Sequence, residues 1–475
     1  MNRRRERIIV NLVARGLRVV IALYALLYFI TFFVDNSILV TVHAILGFML
    51  LVLAVVHVNV RHIKLPLFLF STGFLIMLVS GGPFLENMAI GLRQMSNIIG
   101  LLAVVPVIGW VLRSEPYIED IIGFAHNWLD TSRKFYFGVL SFTHIISYFL
   151  LFGAIPMMYQ FVDDILKNQR GEAWEHFKGT ALLRSFALST LWVISIPSFA
   201  YAVEAMNASL PIAILQGFII ALAGLLIAVV FSYFEEKKYG IDVTAAIKSE
   251  IAVVLKHASN PKIQKRRTIE FGFLFITLFG SIFFMYEVTD FGLMILIPIV
   301  IVIWAGIYFL VKKRIGRLGH EVKEYYRSGL ASKAYQFSVL TSAGVMIHSL
   351  NQTGIGTVII DGVYAFQEVL PFFNMLYFLP LILIILGFMG LGPLTVMVLV
   401  AGILESISLP YPPELIVLAV TSGSAISILL SPLIMPVIVL SAANGVSPFK
   451  NGLKFNYKFA IVLYVLVQVY VQSMV

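Results

Sequence analysis

TSGSAISILLSPLIMP, running from Thr421 to Pro436, is the stretch on which the fold turns. It lies in a chain dense with Leu, Ile, Val and Phe, yet it opens on hydroxyls and a glycine and closes on two prolines. A proline inside a helix removes an N–H and strands the carbonyl four residues earlier. Within a bilayer such stranded groups persist only where protein or a wet cavity satisfies them. The stretch therefore reads as helix broken inside the membrane.

The rest of the chain supports a bilayer setting. Of 475 residues, 60% are hydrophobic and 12% charged, against about 25% charged in soluble domains. This composition predicts an all-α polytopic membrane protein with roughly ten to fourteen membrane segments. The net charge of +9 reads as Lys/Arg-rich cytoplasmic loops, not as a nucleic-acid surface. Cysteine is absent, which excludes disulfides, thiolate chemistry and Cys-ligated metals. The N-terminus MNRRRERIIVNLVARGLRVV is basic, then apolar, without a small-residue cleavage signal. It reads as a cytoplasmic flank of the first span. The expected location is the cell (inner) membrane, multi-pass.

Basic clusters at 1–18, 61–64, 113–134 and 164–184 mark cytoplasmic flanks. They create a conflict over 138–162, because both ends of that apolar segment then lie on one side. It is expected to enter and leave from the same face as a re-entrant hairpin. Gly138, Ser141, Thr143, His144, Ser147, Gly153 and Pro156 suit that role. Single spans are expected over 184–204 and 209–232. Glu86, Arg93 and Asn97 fall in a polar stretch, 83–97, that reads as a loop or interfacial helix.

The expected organisation is N-terminal transmembrane helices over 1–64 and a first repeat core over 65–162. Helices over 163–234 and a basic cytoplasmic linker over 235–269 follow, then helices with a second linker over 270–334. A second repeat core fills 335–475, with a hairpin at about 414–444 and a last helix. The repeat rests on two offsets. At 280, Ser141 falls on Thr421, His144 on Ser424, Ser147 on Ser427 and Pro156 on Pro436; at 287, Gly100 falls on Gly387 and Pro106 on Pro393. Paired interrupted segments in corresponding halves point to a transporter site. Inverted repeats are expected, each with a re-entrant hairpin and an interrupted helix. Inversion places Lys450, Lys454 and Lys458 outside, against the positive-inside trend.

The segments GLGPLTVMVLVAG (390–402), TSGSAISILLSP (421–432) and NGVSPF (444–449) resemble the last third of the Ion Transporter superfamily. That group includes the citrate, gluconate and C4-dicarboxylate permeases. The resemblance implies a secondary transporter moving a small organic anion by an elevator mechanism, with Na+ or H+ as coupling ion and no cofactor. It implies substrate contacts from Thr421, Ser422, Gly423, Ser424 and Ser427, faced by Gly390, Gly392, Pro393 and Thr395. Ser141, His144 and Ser147 would be the first-half counterparts. Ser424, Ser427, Gly390 and Thr395 would hold the cation. Where carboxylate-transporting members carry a Ser-Asn or Gly-Asn-rich first hairpin, this chain has SFTHIIS.

The chemistry is consistent with that implication. Helix N-termini can hold an anion without a free cation, and hydroxyls and carbonyls offer a sodium ion hard oxygens. The bland alternative is that Ser and Gly simply permit close helix packing. Asn351 and Thr353, in NQTG, either face substrate or end a helix. Glu204, Glu287, Asp361 and Glu405 lie in or near spans and are candidates for ion pathways. His144 is the proton-responsive candidate. No P-loop, HExxH or GxSxG pattern occurs, and His43, His57 and His62 form no recognisable site, so enzymatic activity is not expected. Two rivals stand beside the transporter: a lipid or lipid-linked precursor translocase, and a non-transporting scaffold. Expected partners are the anionic substrate and membrane lipids, with a homodimer open as the assembly.

Overall fold

A computed structural model describes residues 2–58, 63–125, 130–166, 168–247, 260–369, 374–407 and 409–475. His62, Lys167, Lys248 and Lys256 lie outside them. The helices in chain order are α1 (Asn2–Phe33), α2 (Ser37–Val58), α3 (Lys64–Ser80), α4 (Phe84–Arg93), α5 (Ser96–Val104), α6 (Pro106–Leu112) and α7 (Tyr117–Ala125). Then come α8 (Ser132–Leu150), α9 (Ala154–Ile165), α10 (Glu172–Ser189), α11 (Pro197–Ala205), α12 (Leu210–Tyr239), α13 (Pro261–Val288), α14 (Leu293–Val311) and α15 (Ile315–Glu324). The last are α16 (Ala334–Gln352), α17 (Ile355–Val369), α18 (Met375–Phe388), α19 (Pro393–Leu404), α20 (Pro413–Leu430), α21 (Met435–Asn444) and α22 (Phe455–Ser473). Among the described residues nine segments are long and apolar enough to cross a membrane. The protein is an all-α polytopic membrane protein.

The chain divides into two compact units. Unit 1 gathers 1–111, 282–369 and 401–409. Small residues set its packing. A Cβ on Gly73 would meet Met346 Cα at 2.7 Å, and one on Gly344 would meet the Gly91 carbonyl at 2.8 Å, so α16 lies against α3 and α4 at backbone distance. The polar stretch 83–97 is not a loop. It forms α4 and the start of α5, inside a segment, Phe84–Leu112, of spanning length. Asn87, Gly91 and Leu92 are buried, so this helix packs into the unit despite its polar residues.

Unit 2 gathers 112–281, 370–400 and 410–475. Its measuring rod is α12, thirty residues long and therefore about 45 Å from end to end. At its start, Ser209 N–H donates to Glu414 at 2.8 Å. Near its other end, Glu235 accepts from Arg184 at 2.7 Å, and Arg184 donates to Asn456 at 3.1 Å. Lys450 and Lys454 pair with Glu172 at 2.7 and 3.2 Å, and His176 lies 4.8 Å from the Tyr239 ring. Glu172, Glu235, Lys450 and Lys454 thus mark one end of the unit, called here the basic end.

These contacts fix chain directions. Residues 172–205 run from the basic end to the end marked by Ser209. Residues 413–444 run the opposite way, from Glu414 beside Ser209 to Asn444, whose Nδ2 donates to Asn451 at 3.0 Å. Both paths are broken: α10 stops at Ser189 and α11 starts at Pro197, while α20 stops at Leu430 and α21 starts at Met435. This corrects the hairpin expected at 414–444, because its two ends lie at opposite ends of the unit. It also corrects the single span expected over 184–204. The expected outside position of Lys450 and Lys454 conflicts with a cytoplasmic 164–184, since both lysines pair with Glu172. Hydropathy shows where a chain is apolar but not which way it leaves a break.

The pair α8 and α9 behaves differently. α8 runs alongside α10 in the same direction: Tyr136 Oη donates to Thr180 at 3.2 Å, Ser185 Oγ to the Leu140 carbonyl, and Ser195 Oγ to the Tyr148 carbonyl. A turn follows at 151–153, where Leu151 takes φ +51°. α9 then runs back along α10, with Phe152 5.6 Å from Phe186 and Tyr159 Oη donating to Glu175 at 2.7 Å. The offset-280 match therefore aligns segments of different course.

Candidate functional site

The two breaks in unit 2 are where backbone groups lose helical partners. α10 and α20 end there on carbonyls, and α11 and α21 begin there, each with proline in its first turn. Carbonyl ends favour cations and N–H ends favour anions. No Asp, Glu, Lys or Arg occurs over 185–203 or 415–449, so these dipoles act without a competing formal charge on either segment.

Each break is pinned by side chains. At 190–196, Trp192 Nε1 donates to His144 Nε2 at 2.7 Å, and the two rings stack 5.7 Å apart. An indole N–H can only donate, so Nε2 is the acceptor. Nδ1 then carries the proton and faces the Ser185 carbonyl at 3.2 Å. His144, expected to respond to protons, is held as a neutral tautomer with both nitrogens engaged. Gly217 lets α12 reach this break: a Cβ there would stand 2.1 Å from the Leu191 carbonyl oxygen.

At 431–434, Pro432 cannot donate to the Ile428 carbonyl. Ser431 closes the gap sideways, its Oγ donating to the Gly387 carbonyl at 2.9 Å and accepting from Leu433 N–H at 3.3 Å. Gly390, at φ +88°, turns the chain between α18 and α19, and a Cβ on it would lie 3.7 Å from Leu433. The turn 389–392 therefore rests against the second break.

The expected site residues separate into groups. Thr421 and Ser422 donate to carbonyls of their own helix, Val417 at 2.8 Å and Ala419 at 2.8 Å. Ser147 does the same to Thr143 at 2.5 Å. Gly423 serves close packing: a Cβ would meet Pro380 Cα and O at 2.6 Å. Ser427 sits over Gly387, where a Cβ would overlap its hydroxyl. Thr395 is buried near the start of α19, while Ser141 is half-buried on α8 and Gly392 has open space around it. Ser424 Oγ is buried and makes no hydrogen bond, as do Thr143 Oγ1 and Tyr148 Oη. Asn351 and Thr353 belong to unit 1. There Asn351 donates to the Gly402 carbonyl at 3.4 Å and accepts from Ser406 at 3.2 Å, and Thr353 donates to the Leu350 carbonyl at 2.7 Å.

Sequence reasoning missed Ser431 and Trp192. It also counted Arg184 among flank charges, although Arg184 is fully buried and pairs bidentately with Glu235 at 2.7 and 3.2 Å. Its remaining donors reach Tyr136, Asn456 and the Phe455 carbonyl. Lys178, also fully buried, pairs with Asp163 at 2.6 Å and Glu175 at 2.9 Å. Both cations are committed to structure.

Among the described residues no three His, Asp or Glu side chains converge as a metal site. No protein family and no curated protein matches this sequence.

Proposed function

We propose that the protein is a secondary active transporter, moving a small organic anion across the membrane with Na+ or H+ as the coupled ion. The observation that carries this reading is the pair of oppositely directed broken segments, 172–205 and 413–444, within one unit. Such a pair offers N–H ends to an anion and carbonyl ends to a cation near the middle of a membrane. The α8–α9 pair supports a re-entrant element beside them, since Ser132 meets Glu236 and Asp163 meets Lys178, both toward the basic end. Ser424 is a buried hydroxyl of the second broken segment that makes no hydrogen bond. The motion is taken as elevator-type, as the resemblance over 387–449 implies. The protein acts as a carrier and not as an enzyme.

The test is uptake of labelled organic anions by proteoliposomes, with and without a sodium gradient. Ser424→Ala is expected to lower uptake while leaving the amount of folded protein unchanged; equal loss of both would make Ser424 a packing residue. A lipid translocase is the second reading. An apolar cavity of about 300 Å³ between α7, α8 and α13, lined by Ile118, Phe142, Ile145, Phe271 and Phe275, favours it. Transfer of a fluorescent lipid without uptake of any soluble anion would select that reading.

A further inference from the structure

At the basic end of unit 2 a second cavity, of about 470 Å³, lies between the start of α8 and the end of α12. Its lining includes Thr131, Ser132, Arg133, Tyr233, Glu236 and Lys237. Arg133 is held over the Tyr233 ring, 4.6 Å from its centre. That contact spends the face of the guanidinium and leaves its N–H edges free to meet an anion. Lys237 is exposed on the rim. The Glu236 carboxylate accepts from Ser132 Oγ, and Ser132 N–H donates to Thr244 at 3.1 Å. Within the lining itself two cations stand against one engaged carboxylate, and the Asp242 carboxylate lies behind Glu236, where it already accepts from Ala245 N–H.

What adjoins the cavity identifies the ligand. Leu222, Leu226, Val230 and Phe234 recur every four residues on α12, and all are exposed, at 43, 55, 55 and 62%. They form one stripe along the helix that ends beside Lys237. In a membrane protein such a stripe faces acyl chains, and cations where it ends face headgroups. The excess of Lys and Arg over 235–269 favours the cytoplasmic leaflet, which holds anionic lipid.

We infer that this cavity is a binding site for an anionic phospholipid, its phosphate between Arg133 and Lys237 and its chains along the α12 stripe. The inference does not depend on what the protein transports.

The test uses the full chain in detergent, titrated with phosphatidylglycerol, with phosphatidylcholine and with inorganic phosphate, and read by thermal shift. Saturable stabilisation by phosphatidylglycerol, weaker with phosphatidylcholine and absent with phosphate, is expected. Arg133→Gln and Lys237→Gln should each weaken apparent affinity about fivefold, at about 1 kcal/mol per surface cation. Arg133→Lys should keep most of it, and the off-site Lys312→Gln should change nothing. Should Arg133→Gln fail to fold, Lys237→Gln decides alone, because Lys237 is exposed. Stabilisation unaltered in Lys237→Gln, equal stabilisation by phosphatidylcholine, or the full shift from inorganic phosphate would overturn the proposal.

Discussion

The bond between Trp192 and His144 offers a sharp test of how the first break is held. Trp192 lies inside the break and His144 on α8, so their 2.7 Å hydrogen bond ties an irregular segment to a regular helix. Replacing Trp192 with Phe keeps an aromatic ring but removes the donor, leaving a buried His144 nitrogen unpaired. An orphaned buried polar group costs about 1–3 kcal/mol. Hydrogen bonds measured inside membrane proteins by double-mutant cycles average about 0.6 kcal/mol and reach about 1.7. A short, part-buried bond that also fixes a tautomer belongs near the middle of that range. We expect a coupling of about 1 kcal/mol between Trp192→Phe and His144→Phe. The assay is equilibrium unfolding of the wild type, both single variants and the double variant in mixed micelles. Additivity within about 0.3 kcal/mol would refute the argument, since the two side chains would then not depend on each other.

Gly423→Ala should destabilise by about 1–3 kcal/mol through overpacking against Pro380, measured by the same unfolding; a neutral outcome would return Gly423 to the list of ligand contacts. Arg184→Gln should cost about 3–5 kcal/mol by leaving Glu235 uncompensated. The double variant Arg184→Met with Glu235→Met should recover more than half of that loss, read as folded yield after size exclusion. Lys333 donates to the Leu102 carbonyl at 2.7 Å, the group that Pro106 leaves without its helical donor. Burial pushes the Lys333 ammonium down to about 8. Between that value and its ordinary 10.5 the unfolded chain binds more protons, so stability should rise with pH across this window, with the full penalty present below it. Lys333→Met should flatten the rise in a thermal-shift series.

Much of the fold was legible from apolar runs and basic flanks. Pro432 and Pro436 announced the second break, and Gly390 with Gly392 announced the turn that rests on it. The first break was not legible. TLWVISIP contains one proline and no glycine, and it stays open through a tryptophan bonded to a histidine some fifty positions away in sequence. Direction was not legible either: the same hydropathy describes a chain that turns back after Leu430 and one that continues to Asn444. Arg184 shows why charge counting misplaces residues. A Lys/Arg tally reads each cation as solvated, whereas the Glu235 carboxylate that pays for its burial lies on another helix. The hydroxyls of 421–427 were visible, but not their employment. A serine that bonds its own helix and one left unpaired, such as Ser422 and Ser424, look alike in a sequence.

The course of the chain at the two breaks is the claim on which the functional reading stands, and the absence of native cysteine makes it directly measurable. Single cysteines at Pro410, Ser447, Thr131 and Asn168, probed with a membrane-impermeant maleimide in sealed vesicles of known orientation, report the side of each segment end. Pro410→Cys and Ser447→Cys should label from opposite sides, while Thr131→Cys and Asn168→Cys should label from the same side as Ser447→Cys. Labelling of Pro410→Cys and Ser447→Cys from one side would contradict the account.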